Sequence, residues 1–185
     1  MNLKKSIFIY TDGGLKKMKA SEFIGMRVLD GEANEVGKIA EISIKLKKCL
    51  VEHIFVSTGG TLNKKYFAIV VDDIAEIGDF VQLNLNKMGV EGKVHLNKVE
   101  DFATKGSLFK DIVGKKVLAQ KGMEVGKIAD MYIDPKGCMI HNVVISTGGI
   151  FDKKFLMISD VDIQEIGDYI ILNLTKDEVI ERVED

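Results

Sequence analysis

The chain has 185 residues, with 26 basic and 28 acidic side chains, a formal charge of −2 and a pI near 6.0. That balance excludes the broad basic footprint by which proteins neutralise nucleic-acid phosphates, so no direct nucleic-acid partner is expected. Two cysteines make no secreted disulfide framework. No apolar run approaches the roughly 18 residues a spanning helix needs, so the expectation is a cytoplasmic protein without membrane insertion.

In chain order, the first stretch is MNLKKSIFIYTDGGLKK. Its apolar run, Ile7 to Tyr10, is too short for a secretory core and no small-residue cleavage site follows. Codons for Asp12-Gly13-Gly14 can contain a ribosome-binding sequence at start-codon distance from Met18. Two readings of residues 1–17 stand: a non-native leader ahead of a start at Met18, or a disordered tail.

Residues 24–85 then repeat without a gap at 113–174, a shift of 89 positions with 28 identities in 62. Such a repeat has to be recognised before any other element is assigned. A module of this size buries only about 60% of its unfolded surface and is marginal alone, so the two copies are expected to pack against each other. The divisions are copy 1 at 18–86, a linker at 87–108, copy 2 at 109–175, and a tail at 176–185.

Within each copy almost every element reads as strand. Gly37 and Gly126, in Val-Gly-Lys, predict a bulge or a close backbone approach. Ala40, Ile42, Ile44 and Leu46 alternate with Glu41, Ser43, Lys45 and Lys47, the period-2 pattern of a half-buried strand; Ala129, Met131 and Ile133 repeat it. Asp134-Pro135-Lys136-Gly137 predicts a turn. Strands follow at about 49–57 and 138–146, then Ser-Thr-Gly-Gly loops, then strands at 66–71, 155–160, 80–86 and 169–175. Between the last two of each copy, Asp-Ile-x-Glu-Ile-Gly-Asp reads as a helical turn ended by glycine. Thr175-Lys176-Asp177-Glu178 reads as a capping box opening a short C-terminal helix. Short strands at even spacing predict an all-β fold of two tandem small barrels packed together, and no helical segments separate them as a parallel α/β sheet requires.

The order G-x-x-V-L, then E-V-G-K-I-x-[DE], then paired strands and D-I-x-E-I-G-D-x-[VI]-x-L resembles the PRC-barrel family over both repeats. The resemblance implies a binding or scaffolding module without shared catalytic residues. Its relatives include the photosynthetic reaction-centre H subunit, the ribosome maturation factor RimM, and stand-alone archaeal proteins that act in cell division beside SepF and FtsZ. The chain lacks the membrane helix of the first and the additional N-terminal barrel of the second, so the tandem stand-alone type fits best.

Specific residues are weighed against plain structural roles. Ser57-Thr58-Gly59-Gly60 and Ser146-Thr147-Gly148-Gly149 lack the spacing and the following helix of a phosphate loop and read as turns needing glycine. Cys49 and Cys138 read as core cysteines that a pseudo-twofold could bring together, because His53, His95 and His141 share no ligand spacing between copies. Asp72-Asp73 and Asp160 with Asp162 read as caps. No catalytic, metal or cofactor site is expected, and the protein is read as a non-enzyme.

Two apolar signals remain. The strand at 49–57 is apolar on both faces, with Cys49, Val51 and Phe55 read as one of them; Cys138, Ile140 and Val144 repeat this. These six are the candidate interface between copies or subunits, since a strand with two apolar faces must be covered twice. Copy 2 also carries Phe155, Met157, Tyr169 and Ile171 on its inferred outer face, where copy 1 has Tyr66, Ala68, Phe80 and Gln82. Those four are the candidate partner-binding residues. The functional expectation is a scaffold or adaptor in archaeal cell division that binds SepF, FtsZ, another PRC-barrel protein or itself. The alternatives are a ribosome-assembly adaptor that binds a ribosomal protein, and a small-ligand sensor at the groove between barrels.

Overall fold

The computed structural model describes residues 9–10, 16–60, 63–148 and 152–182, so most of the expected leader at 1–17 lies outside the described residues. A two-residue strand β1 (Ile9–Tyr10) pairs with β2 (Lys16–Lys19), which leads into a single helical turn α1 (Ala20–Phe23). Copy 1 continues as β3 (Arg27–Leu29), β4 (Glu35–Lys45), β5 (Leu50–Thr58), β6 (Lys65–Ile69), β7 (Ile74–Ile77) and β8 (Val81–Leu83), closed by α2 (Lys87–Glu91). Copy 2 follows with α3 (Phe109–Ile112), β9 (Lys116–Ala119), β10 (Met123–Asp134), β11 (Met139–Thr147), β12 (Lys154–Ile158), β13 (Ile163–Ile166), β14 (Ile170–Leu172) and α4 (Lys176–Ile180). The strand order in copy 1 is β7-β8-β3-β4-β5-β6, and copy 2 repeats it as β13-β14-β9-β10-β11-β12. In each, only the β3–β8 or β9–β14 pair is parallel. The expected all-β pair of six-stranded modules is present, and the capping box Thr175–Glu178 opens the expected C-terminal helix.

Gly37 and Gly126 are required by close approach. A Cβ at Gly37 would sit 2.0 Å from the Ser57 carbonyl oxygen, and at Gly126 it would sit 2.3 Å from that of Ser146. Each glycine also follows a bulge, where Val36 or Val125 is the extra residue. Gly59 and Gly148 have φ of 82° and 86°, as turns after β5 and β11 demand.

Several elements differ from the sequence expectation. The alternation in β4 does not start at Ala40. A bulge there sets Ile39 opposite Val56 and Glu41 opposite Phe55, so Ile39, Ile42 and Ile44 line the core while Ala40 is only half-buried. A second bulge makes Glu52 extra, because Ser43 pairs with His53 and Ile44 with Val51. One inserted residue reverses the faces of everything beyond it, so Val51 joins Ile54 and Val56 in the main core while Phe55 packs in a separate cluster. Cys49, Val51 and Phe55 are therefore not one face. Glu41 and Ser43, on the supposedly wet side, are 7% and 0% exposed. The segments Ile74–Ile77 and Ile163–Ile166 are strands rather than helical turns, paired antiparallel with β8 and β14. Only the residues before them, Val71–Asp73 and Asp160–Asp162, make a 3-10 turn. The linker is not plain connection either: α2, capped by the Asn86 side chain accepting from Gly89 N–H, occupies the position of α4 one repeat earlier, with Val90 buried as Val179 is.

The copies share one continuous core that draws on Ile39, Ile54 and Phe67 from the first and Ile128, Val143 and Leu156 from the second. At their junction Leu50 pairs antiparallel with Met139, its own repeat equivalent. Val51 N–H donates to the Cys138 carbonyl at 3.0 Å, and Ile140 N–H donates to the Cys49 carbonyl at 2.8 Å. Each bond is the other shifted by one repeat, so a pseudo-twofold passes between Leu50 and Met139.

The same symmetry governs an exchange of arms. Met18 and Lys19, at the start of copy 1 and ahead of its repeated segment, pair with Ile133 and Tyr132 of β10. Leu108, ahead of copy 2, bridges to Ser43 of β4, and Ile44 N–H donates to the Ser107 carbonyl at 2.8 Å. Each module thus lends its entering strand to the long strand of the other.

Candidate functional site

The structure brings four of the six predicted interface residues to the junction. Cys49 and Cys138 have left-handed backbones, φ 49° and 54°, which turn the chain so that their carbonyls meet the opposite copy. Val51 and Ile140 supply the matching N–H groups. Both thiols are free and half-buried. Burial, then the Asp160 carboxylate of copy 2, pushes Cys49 up to about 11. Burial, then Asp134 and Asp72, also raises Cys138. Each sulfur thus stays a protonated thiol at neutral pH and is a poor nucleophile or soft metal ligand. Phe55 and Val144 are buried but lie away from this junction, on the outer side of β5 and β11, where the bulges have turned them.

Sequence reasoning missed the residues that lock the arms. Asp130 on β10 accepts from Ser21 N–H at 3.2 Å and from the Ser21 hydroxyl. In the mirror position on β4, the Glu41 carboxylate lies near the backbone N–H of Lys110, which favours its charged form. Burial raises the Glu41 pKa above the ordinary value of 4.5, opposed by the N–H groups of Ile42 and Lys110. The readable signal was a carboxylate at the same repeat position in both long strands, opposite apolar faces that needed cover. Outside, Lys47 reaches Glu165 at 2.6 Å, and its equivalent Lys136 reaches the Ala75 carbonyl at 2.6 Å and Glu76 at 3.6 Å.

Asp73 and Asp162 cap as expected: Asp73 accepts from Val70 N–H at 3.0 Å and Asp162 from Ser159 N–H at 2.8 Å. They also pair with Lys93 and Arg182, which are repeat equivalents. Among the described residues no three His, Cys, Asp or Glu side chains converge as a ligand set. The hollow at the junction, bounded by Val51, His53, Ile69, Val70 and Cys138, holds about 10 Å³, room for no more than one water.

The outer faces of the two copies differ. In copy 1 the linker lies over β5 and β6. Leu96 and Tyr66 exchange two main-chain bonds, 2.9 Å and 2.7 Å, and Val99 and Leu108 enclose Phe55, with Tyr66, Ala68, Leu96 and Ala103 packed around them. Phe102 stands edge-on to His53 at 4.9 Å and to Phe55 at 6.0 Å. In copy 2 the predicted partner-binding residues stay in contact with solvent: Phe155 is 40% exposed, Tyr169 49% and Ile171 37%, with Met157 half-buried. They do not form one strip. Phe155 and Met157 are on β12, whereas Tyr169 precedes β14 and Ile171 lies within it, and β9, β10 and β11 stand between those strands. Phe80 of copy 1, the counterpart of Tyr169, is also exposed at 38%, with Arg27 over its ring at 5.2 Å. What is peculiar to copy 2 is therefore chiefly the β12 face.

No helix among the described residues is long and apolar enough to cross a membrane. The family model described as PRC-barrel domain matches twice, over residues 16–87 and 105–179. Both matches begin with the exchanged arm and reach into the closing helix, to the first residue of α2 and through most of α4, so the arm belongs to the module. No curated protein matches the chain.

Proposed function

The chain belongs to the PRC-barrel family, and from that premise we propose that it is a non-enzymatic, protein-binding scaffold or adaptor. PRC-barrel modules are consistent with a binding role, and one observation carries the reading here. Two equivalent outer faces exist: the linker covers the one on copy 1, and on copy 2 the described residues leave Phe155 40% exposed beside a half-buried Met157, as interaction surfaces are. The finer reading, an archaeal cell-division protein that meets SepF, FtsZ, another PRC-barrel protein or a second copy of itself, is supported by resemblance. The near-neutral charge supports a protein partner over nucleic acid.

The test is a mild-crosslinking pull-down from the native host with the wild type and with Tyr169→Ala plus Ile171→Ser. Recovery of division proteins by the wild type supports the reading. Their loss from the double variant, at unchanged melting temperature, assigns the β14 surface. Recovery of ribosomal proteins without division proteins sinks the division reading in favour of the assembly adaptor.

A further inference from the structure

The linker on copy 1 is a ligand seated in cis on a surface that copy 2 also has. Its recognition elements are few. Leu96 adds itself to the free edge of β6 by the two-bond exchange with Tyr66. Val99 and Phe102, at successive steps of three, then cover Phe55 and His53. Lys65 donates to the Asn97 side chain beside the paired residue. Copy 2 retains the receiving parts: among the described strands β12 pairs with β11 alone, Phe155 stands where Tyr66 does, and Lys154 where Lys65 does. Met157 and Val144 in place of Ala68 and Phe55 fill the same face with the bulk redistributed.

We infer that the β12 edge of copy 2 receives an extended segment of a partner protein, added as a strand at Phe155, with apolar residues three apart and acidic residues between them. This rests on the scaffold reading and names the kind of partner it binds. Strand addition to an exposed edge takes affinity from main-chain bonds and specificity from side-chain pockets. The acidic preference follows from Lys153, which lies over the Phe155 ring at 5.2 Å, and from its exposed neighbour Lys154. In the linker, Glu100 and Asp101 fall between Val99 and Phe102; Glu100 there pairs with Lys110, which has no place in copy 2's β12 edge, so Lys153 and Lys154 would take the acids instead.

Segments of the chain itself fit this edge less well. The described tail gives β12 one bond, Met157 N–H to the Arg182 carbonyl at 2.9 Å. At the other end the repeat sets residues 7–10 in the register of 96–99, but Ile9 and Tyr10 pair with Lys17 and Lys16 instead.

The probe is a fluorescent peptide of residues 93–104, KVHLNKVEDFAT, titrated into the full-length protein beside a scrambled peptide. Copy 1 already holds this segment at the high effective concentration of a short tether, so added peptide reports on copy 2. One saturable site is expected, weakened about tenfold or more by Phe155→Ala. Lys154→Glu, an exposed change that spares folding, is expected to weaken it about threefold, and Phe80→Ala on copy 1 to leave it unchanged. Absence of saturable binding, or binding indifferent to both β12 variants, overturns the inference. Binding that appears only after removal of residues 1–15 or 183–185 overturns it as well, because the edge is then filled in cis. Self-association abolished by Phe155→Ala would replace the partner with a second copy. Peptide binding that depends on Phe155, in a protein that captures no partner in the pull-down, would keep this inference and fail the scaffold reading. Host partners that depend on Tyr169 and Ile171 alone would do the reverse.

Discussion

Copy 1 and copy 2 have the same strand order, the same bulges and the same glycine contacts, yet among the described residues the linker covers one outer face while Phe155 stays exposed on the other. The difference does not arise inside the repeat. It comes from the dozen or so residues that follow α2, which fold back as Leu96, Val99 and Phe102 over β5 and β6. The described residues after α4 reach only to the Arg182 carbonyl. A module whose core is complete can thus have its outer face covered or left exposed by what is attached to it, without altering the barrel.

The sharpest test of that comparison is Phe55→Ala against Val144→Ala. Phe55 is the centre of the small cluster under the linker, and its truncation is expected to cost about 4 kcal/mol and to expose residues 96–104 to proteolysis. Val144→Ala removes less volume and is expected to cost about 2 kcal/mol without a new cleavage site. Equal costs, read by urea unfolding, would break the argument that the linker makes the two faces different. Next come Gly37→Ala and Gly126→Ala, each expected to cost about 3 kcal/mol because the added Cβ meets a carbonyl oxygen. Near-equal values would show that the two barrels are energetically alike beneath unlike faces, and Gly60→Ala, with nothing within 4 Å, serves as the neutral control.

The arm locks offer a smaller contrast. Asp130→Asn should cost about 1–2 kcal/mol through its bonds to Ser21. At Glu41 the expected effect is on pH dependence. Its folded pKa is raised, so between the unfolded value near 4.5 and that higher value the folded state holds more proton. Stability contributed by Glu41 is full below this window and falls as pH rises through it. Glu41→Gln should remove that decline, and urea midpoints across the window that fall equally in variant and wild type would refute the assignment. Smallest of all, Lys47→Ala and Lys136→Ala should leave the urea midpoint unmoved within error, because their ion pairs lie at the surface.

Much of the fold was legible in the sequence because a gapless repeat and period-2 strands are local signals. The faces were less legible. One extra residue at Ala40 and another at Glu52 transferred Ile39 and Val51 to the core and Phe55 to the outside, and nothing in the residue types marks these two bulges as Gly37 marks the one at Val36. The helix α2 was hidden because Asn86 is a weaker announcement than Thr175 with Glu178. The arm exchange was illegible in principle: a bond from Ile44 to Ser107 joins residues whose proximity depends on the pseudo-twofold. Of the candidate site, Cys49, Val51, Cys138 and Ile140 could be placed at the junction from their matching repeat positions. Phe155, Met157, Tyr169 and Ile171 were recognised as unusual residues, but their division between β12 and β14 needed the strand order.

The exchange of arms about a pseudo-twofold is what a symmetric dimer of single modules would make, and such a dimer would present every surface twice. Here the segment that ties the halves together occupies one of the two equivalent β6/β12 edges. If the β12 edge takes a partner strand as inferred above, the molecule has a valence of one through it, so it would finish a row of contacts or mark its end and would not lengthen the row.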